Sequence, residues 1–152
     1  MPKLPHLDPP NNPERWYTPG QVARLLDLSV ETLRLYEREG LIIPFKVPSG
    51  HRRFNQLDVK WIAMIRRQIH DHKLNFSGLR FLLSMLQCWE VKDCCLGENY
   101  MDCPAKQVNH LPCWMVANTP CRAQGESCRD CKIYALAPKV DKLKEQLAVK
   151  FK

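Results

Sequence analysis

Two sets of residues in this 152-residue sequence are of types that do chemistry, one through sulfur and one through fixed charge. All 8 cysteines fall late in the chain, at Cys88, Cys94, Cys95, Cys103, Cys113, Cys121, Cys128 and Cys131, and residues 1–87 have none. Cys128-Arg129-Asp130-Cys131 is a C-x-x-C, a spacing that lets two thiolates chelate one metal from a single turn. An ordinary zinc ribbon uses two such pairs and is disfavoured with one. Thiolate-rich sites select zinc, copper(I) or iron–sulfur clusters over hard cations, so magnesium and calcium are set aside. Four thiolates around one zinc leave a net negative charge, which Arg122, Arg129 and Lys132 are placed to offset. His110 is an alternative ligand, although a lone loop histidine is more often solvent-exposed.

The fixed charge is cationic and sits elsewhere. The formal net charge is +7. Residues 1–87 hold 13 Lys and Arg against 8 Asp and Glu, residues 88–138 hold 5 against 6, and residues 139–152 hold 5 against 2. A basic excess points to a polyanionic partner through counterion release. No Ser-His-Asp order, phosphate-cradling Gly-rich loop or paired catalytic carboxylates is present, so the sequence reads as a non-enzyme. The C-x-x-C invites thiol–disulfide exchange, yet it lacks the βαβ setting of a thioredoxin-like site. No run approaches the roughly 18 apolar residues of a membrane span, and the Pro-rich start offers no secretory signal. A cytoplasmic location is therefore expected, where thiols are reduced and metal ligation is the better reading than a disulfide framework.

These residues must be positioned by elements that the pattern makes legible. Residues 1–15, with five prolines and no apolar periodicity, read as a disordered arm. Thr18 caps a helix with Pro19 at its first position and Val22, Leu25 and Leu26 at helical spacing. Ser29 caps a second, with Glu31 in its first turn, Val30 and Leu33 facing inward and Gly40 ending it. Two short helices across so tight a turn form a helix-turn-helix. Residues 41–54 carry β-formers on both sides of a Pro-Ser-Gly turn and predict a short hairpin, a wing that brings Arg52 and Arg53 to a phosphate backbone. From Asn55 a helix follows with Leu57, Trp61, Met64, Ile65 and Ile69 as its apolar stripe, with His70 and His72 at the surface. Asn75 caps another helix bearing Leu79, Leu82, Leu83 and Leu86, which delivers the chain to Cys88. A last helix is expected over 138–151, with Val140, Leu143, Leu147 and Phe151 as its stripe. The fold class is mainly α: an N-terminal winged helix-turn-helix with a short β-hairpin wing, then a small Cys-rich module stabilised by a metal or cluster, then a C-terminal helix. The domains are the arm (1–15), the winged helix (16–87), the Cys-rich effector module (88–137) and a basic amphipathic helix (138–152).

Residues 16–87 resemble the MerR family of winged-helix transcription regulators. The resemblance rests on Tyr17-Thr18-Pro19-Gly20-Gln21-Val22-Ala23, on Thr32 to Ile42 as recognition helix and exit, and on Arg52-Arg53-Phe54 as wing. Residues 71–79 are most similar to the heat-shock-repressor branch. The resemblance implies a dimer on a pseudo-palindromic duplex, with Thr18, Ser29, Thr32, Arg34, Tyr36, Arg38, Arg52 and Arg53 at the DNA. Arginine suits such roles because its planar fork grips a phosphate or a guanine edge with two hydrogen bonds. Tyr36 has a core position as its alternative. The chain departs from the family where a long coiled-coil helix would follow, which puts dimer geometry in doubt.

Residues 88–134 resemble the small two-CW domain, through Cys88-Trp89, Cys94, Cys103-Pro104-Ala105, Cys113-Trp114, Cys121 and Cys128-x-x-Cys131 followed by Tyr134, with Cys95 extra. Cys103-Pro104 is also similar to the Cys-Pro that closes bacterial ferredoxin motifs. An iron–sulfur cluster is the first expectation for the cofactor and zinc the second, with free thiols, copper(I) or haem behind. Trp89 and Trp114 would pack to dry the site. The expected activity is DNA-binding transcription regulation with metal or redox sensing, the partners being double-stranded DNA, a second copy of the chain and RNA polymerase. The alternative is a structural zinc domain that recruits a protein partner.

Overall fold

Thr18 and Pro19 begin the first helix as their chemistry requires. In the computed structural model, which describes residues 15–142, α1 spans Pro19–Leu26. The Thr18 side chain accepts a hydrogen bond from the Gln21 amide at 3.2 Å, and the Gln21 side chain accepts one from the Thr18 amide at 2.9 Å, a reciprocal capping box. Asp27 at φ 52° turns the chain, and Ser29 caps α2, Val30–Arg38, by accepting from the Thr32 amide at 3.0 Å. Gly40 at φ 73° lets the exit reverse, with the Leu41 amide donating to Tyr36 O at 3.0 Å.

The wing is the antiparallel pair β1, Phe45–Lys46, and β2, Arg52–Arg53, in the register Phe45 with Arg53 and Lys46 with Arg52. Gly50, at φ 85°, supplies the turn conformation that a side chain disfavours. A bridge between Tyr17 and Phe54 ties the start of the domain to the end of the wing. Asn55 then caps α3, Gln56–His70, in a second box closed by Asp58.

The core of this first unit is Val22, Ala23, Leu26, Leu33, Tyr36, Leu41, Ile42, Phe54, Val59, Trp61, Ile62, Met64 and Ile65. The Trp61 indole N–H donates to Leu41 O at 2.7 Å, so the largest buried ring is also satisfied. Leu57, expected in the α3 stripe, is instead exposed, while Val59 and Ile62 are buried. The 3.6-residue period permits either phase at a helix start, and packing chose the one that sinks Val59.

The chain divides into two compact units between Asp71 and His72. The helix that the sequence reading groups with the wing, α4 at Phe76–Ser84, thus falls in the second unit. It buries Leu79 and Leu83, and it packs against the 3-10 turn Ala137–Lys142. The rest of this unit is short pieces: α5, Cys88–Val91; α6, Pro104–Gln107; α7, Pro120–Ala123; and α8, Lys132–Leu136, with 3-10 turns at Gly97–Asp102 and Cys113–Met115. Its interior is Leu79, Leu83, Cys103, Trp114, Val116, Ile133, Tyr134, Ala137 and Val140. The expected last helix begins as that closing 3-10 turn, and its residues 143–151 lie outside the described residues, as does the arm over 1–14. No helix among the described residues is long and apolar enough to cross a membrane.

Candidate nucleic-acid interface and thiol cluster

In the first unit, α2 and the wing present cations around one groove. Arg34 and Arg38 stand on the outer face of α2, their side chains 58% and 60% exposed. Both reach Glu31, Arg38 at 3.1 Å and Arg34 at 3.6 Å, and such exposed pairs contribute little and exchange readily for another anion. A groove of about 160 Å³ between α2 and the wing is lined by Arg34, Glu37, His51, Arg52 and Arg53 over an apolar floor that includes Leu33 and Phe54. Arg52 Nε donates to Glu37 Oε2 at 2.6 Å, Lys46 Nζ lies 3.8 Å from Glu37 Oε1, and Arg53 Nη1 donates to Arg52 O at 2.9 Å. Lys46 and Arg52 are therefore held in place by Glu37 of α2, and Arg53 by the wing backbone.

Of the eight residues expected at DNA, four are arginines at α2 and the wing, three are hydroxyl residues at helix starts and one is buried. Arg34, Arg38, Arg52 and Arg53 offer guanidinium groups. Thr18, Ser29 and Thr32 have hydroxyls engaged in capping, Ser29 Oγ also meeting Thr32 Oγ1 at 2.9 Å, so Ser29 and Thr32 offer the start of α2 and Thr18 that of α1. Tyr36 is a correction. It is 2% exposed, and burial pushes its phenol up from the ordinary value, against a smaller lowering by Arg66. Its side chain is core, because position 36 falls one helical turn after Leu33 on the inward face. The sequence reading missed Lys46 and Glu37, which only the strand register and the fold bring to Arg52. It also missed the aromatic pair of Trp16 and Phe45, with ring centroids 5.0 Å apart and both side chains exposed.

In the second unit all eight cysteines are free thiols, and only Cys103 is buried. Burial first, and then repulsion from Cys94, Cys103 and Cys121, pushes the Cys88 thiol up to about 11, with Lys92 opposing. Burial and the neighbouring Cys88, Cys131, Cys128 and Cys121 push Cys113 up to about 12. Cys95 is raised by burial and by Cys94 and Cys121, and Cys128 is raised by burial against the lowering pull of Arg122. Cys88, Cys95, Cys113 and Cys128 thus favour the protonated form, and a metal would have to displace those protons to bind there. Cys113, Cys121, Cys128 and Cys131 line a single cleft of about 20 Å³ with Trp114, Ile133 and Tyr134. Among the described residues, no three His, Cys, Asp or Glu side chains converge as a ligand set. The donor chemistry fits a thiophilic metal.

The aromatic rings lie where packing was expected. Trp114 is buried edge-on to Tyr134, centroids 5.3 Å apart. Trp89 is half-buried, stacked on Tyr100 at 5.5 Å with the Lys106 ammonium 4.3 Å from its ring. His110, His70 and His72 are exposed. Of the cations expected to offset thiolate charge, Arg122 stands at Cys128, Lys132 is exposed, and Lys92, which sequence spacing does not flag, reaches Cys131 Sγ at 3.8 Å.

Residues 17–86 match the family model described as MerR HTH family regulatory protein, and the match ends before the first cysteine. The HTH-type transcriptional regulator MlrA of Escherichia coli is 42% identical over 69 residues, covering 45% of this chain and 28% of MlrA. The HTH-type transcriptional regulator AdhR of Bacillus subtilis is 49% identical over 47 residues, 30% of this chain and 34% of AdhR. The putative heat shock protein HspR of Streptomyces coelicolor is 26% identical over 69 residues, 45% of this chain and 46% of HspR. The chain thus spans between about a quarter and a half of the length of these curated relatives. These relatives, the heat-shock one included, support a MerR-family N-terminal domain. No solved structure matches the chain.

Proposed function

We propose, from a MerR-family helix-turn-helix domain at residues 17–86, that the chain is a DNA-binding transcription regulator whose Cys-rich unit binds a thiophilic metal centre and makes DNA binding depend on it. The observation that carries the DNA reading is the cationic groove between α2 and the wing, with Arg34, Arg52 and Arg53 around it and Arg38 beside it. Arg34 on the exposed face of α2 reads a base edge in the major groove, and the wing arginines grip phosphate. Glu37 holds Arg52 and Lys46 in register and repels phosphate, so it sets geometry at a cost in affinity. A second copy of the chain on a pseudo-palindromic duplex accounts for specificity beyond one α2, and RNA polymerase is the further partner of this reading.

The centre belongs to the thiol cluster. Of the two candidates, one zinc ion needs only the four thiolates that line one cleft and no inorganic sulfide. The short helices of this unit favour a second reading, in which zinc completes the fold and the unit recruits a protein partner. Coupling to DNA runs through α4, which is packed within the thiol-bearing unit and follows α3 in the chain.

Anaerobic purification with metal and sulfide analysis, followed by duplex binding of loaded and metal-free protein, tests the proposal. The expected result is bound metal and a loaded form whose operator affinity and transcriptional output differ from the metal-free form. Equal affinity and output would leave zinc as a structural element only. Protein that carries no metal and ignores every duplex sinks both readings.

A further inference from the structure

Four of the eight cysteines line one cleft, and two cations from separate segments are aimed at two of their sulfurs. Lys92 follows α5 directly, and its ammonium lies 2.5 Å from Glu126 Oε2 and 3.8 Å from Cys131 Sγ. The carboxylate and the neighbouring sulfur both favour its charged form. Arg122 Nη2 donates to Trp114 O at 2.7 Å and Val116 O at 3.3 Å, so its guanidinium is fixed while it also hydrogen-bonds Cys128. Both members of the C-x-x-C therefore receive a cationic donor, and neutral thiols give a protein little reason to place two there. Cys88, Cys94, Cys95 and Cys103 do not line this cleft, although Cys88 is the neighbouring sulfur that acts most on Cys113.

We propose that the centre sits among Cys113, Cys121, Cys128 and Cys131, that Lys92 and Arg122 are positioning residues that offset its charge, and that the other four cysteines are not its ligands. The inference rests on the metal-binding reading above and narrows it. Zinc binding forms four Zn–S bonds, releases four thiol protons to solvent and leaves a net −2 centre. Lys92 and Arg122 oppose that charge, and Glu126 takes part of the ammonium for itself. Since the side chains do not converge before binding, the ion draws the sulfurs together by side-chain rotation.

The test is differential alkylation of the reduced full chain with and without added zinc(II), read by mass spectrometry, together with zinc retention against a competing chelator. One zinc per chain should protect Cys113, Cys121, Cys128 and Cys131 and leave the other four reactive. Lys92→Met and Arg122→Met should each weaken retention about 10-fold or more, Lys92→Arg should restore most of it, and Glu126→Gln should tighten it. Glu126→Gln separates charge offset from mere architecture, since loss of a structural ion pair would loosen the site. Zinc bound with protection of Cys88, Cys94, Cys95 or Cys103 overturns this ligand set and leaves metal binding standing. Looser retention in Glu126→Gln overturns the role of Lys92. No zinc bound, with none carried from anaerobic purification, overturns both the ligand set and the metal-binding reading.

Discussion

Arg34 and Arg53 are both guanidinium groups on one face, yet their settings assign them different work. Arg34 is free to leave Glu31 for a base edge, and Arg34→Ala should cost about 1–3 kcal/mol on the preferred duplex while relaxing base preference. Arg53→Ala should weaken all duplexes alike and flatten the salt dependence, because a phosphate contact carries no sequence information. Fluorescence anisotropy over a salt series separates the two, and the reverse pattern would exchange their roles. Tyr36 belongs to another class. Tyr36→Phe should leave duplex affinity nearly unchanged, whereas Tyr36→Ala should destabilise the first unit by about 3–5 kcal/mol in urea unfolding, the cost of emptying a large buried site. Thr119 makes the opposite case: it is 1% exposed and its hydroxyl has no partner among the described residues. Thr119→Val, which keeps shape and removes an unsatisfied buried group, should leave the thermal midpoint of the metal-free protein unchanged or higher. The arginines were legible in the sequence because charge and spacing are local properties, whereas the ring of Tyr36 was ambiguous because burial is not.

At the scale of elements, caps fixed what periodicity left loose. Thr18, Ser29, Asn55 and Asn75 each begin a helix where their side-chain chemistry predicts, since an Ncap oxygen and an orphan amide three residues on are neighbours in any context. The stripe of α3 was read with Leu57 inside and without Val59, and the structure exposes Leu57 and buries Val59. Capping boxes anchor the register of α1 and α3 strongly enough to test. Asn55→Ala should cost about 1 kcal/mol of stability, seen in urea unfolding of the whole chain, and should shift the wing only through Phe54. An unchanged midpoint would mean that packing alone starts α3. Among the described residues, the Cys-rich unit contains no α-helix of more than five residues after α4, too short for periodicity to register, so its path was not readable beforehand.

For the whole molecule, the two units respond to different variables. The first answers to ionic strength through its cations. The second answers to pH, with a sign set by its thiols: the folded, metal-free unit holds protons on Cys88 and Cys113 more tightly than an unfolded chain does. That stability is constant below the ordinary thiol value near 9 and is lost as pH rises toward about 11 and about 12. Chemical denaturation of reduced metal-free protein between pH 8 and pH 11, as rough working limits, should show a falling midpoint, and bound zinc should lessen the fall by taking Cys113 out of the titration while Cys88 continues to titrate. A midpoint that rises with pH would mean the thiols are stabilised as anions without metal. The residue types, the division of basic from thiol-bearing sequence, the four caps and the family string were settled by the chain alone, because each depends on neighbours within a few positions. Tertiary structure decided the rest: that Tyr36 is core, that Glu37 and Lys46 join Arg52, that α4 packs with the thiols, and that Lys92 crosses 39 positions to reach Cys131. Those pairings cost chain entropy to close and are chosen by the sum of all packing at once, which no local window contains.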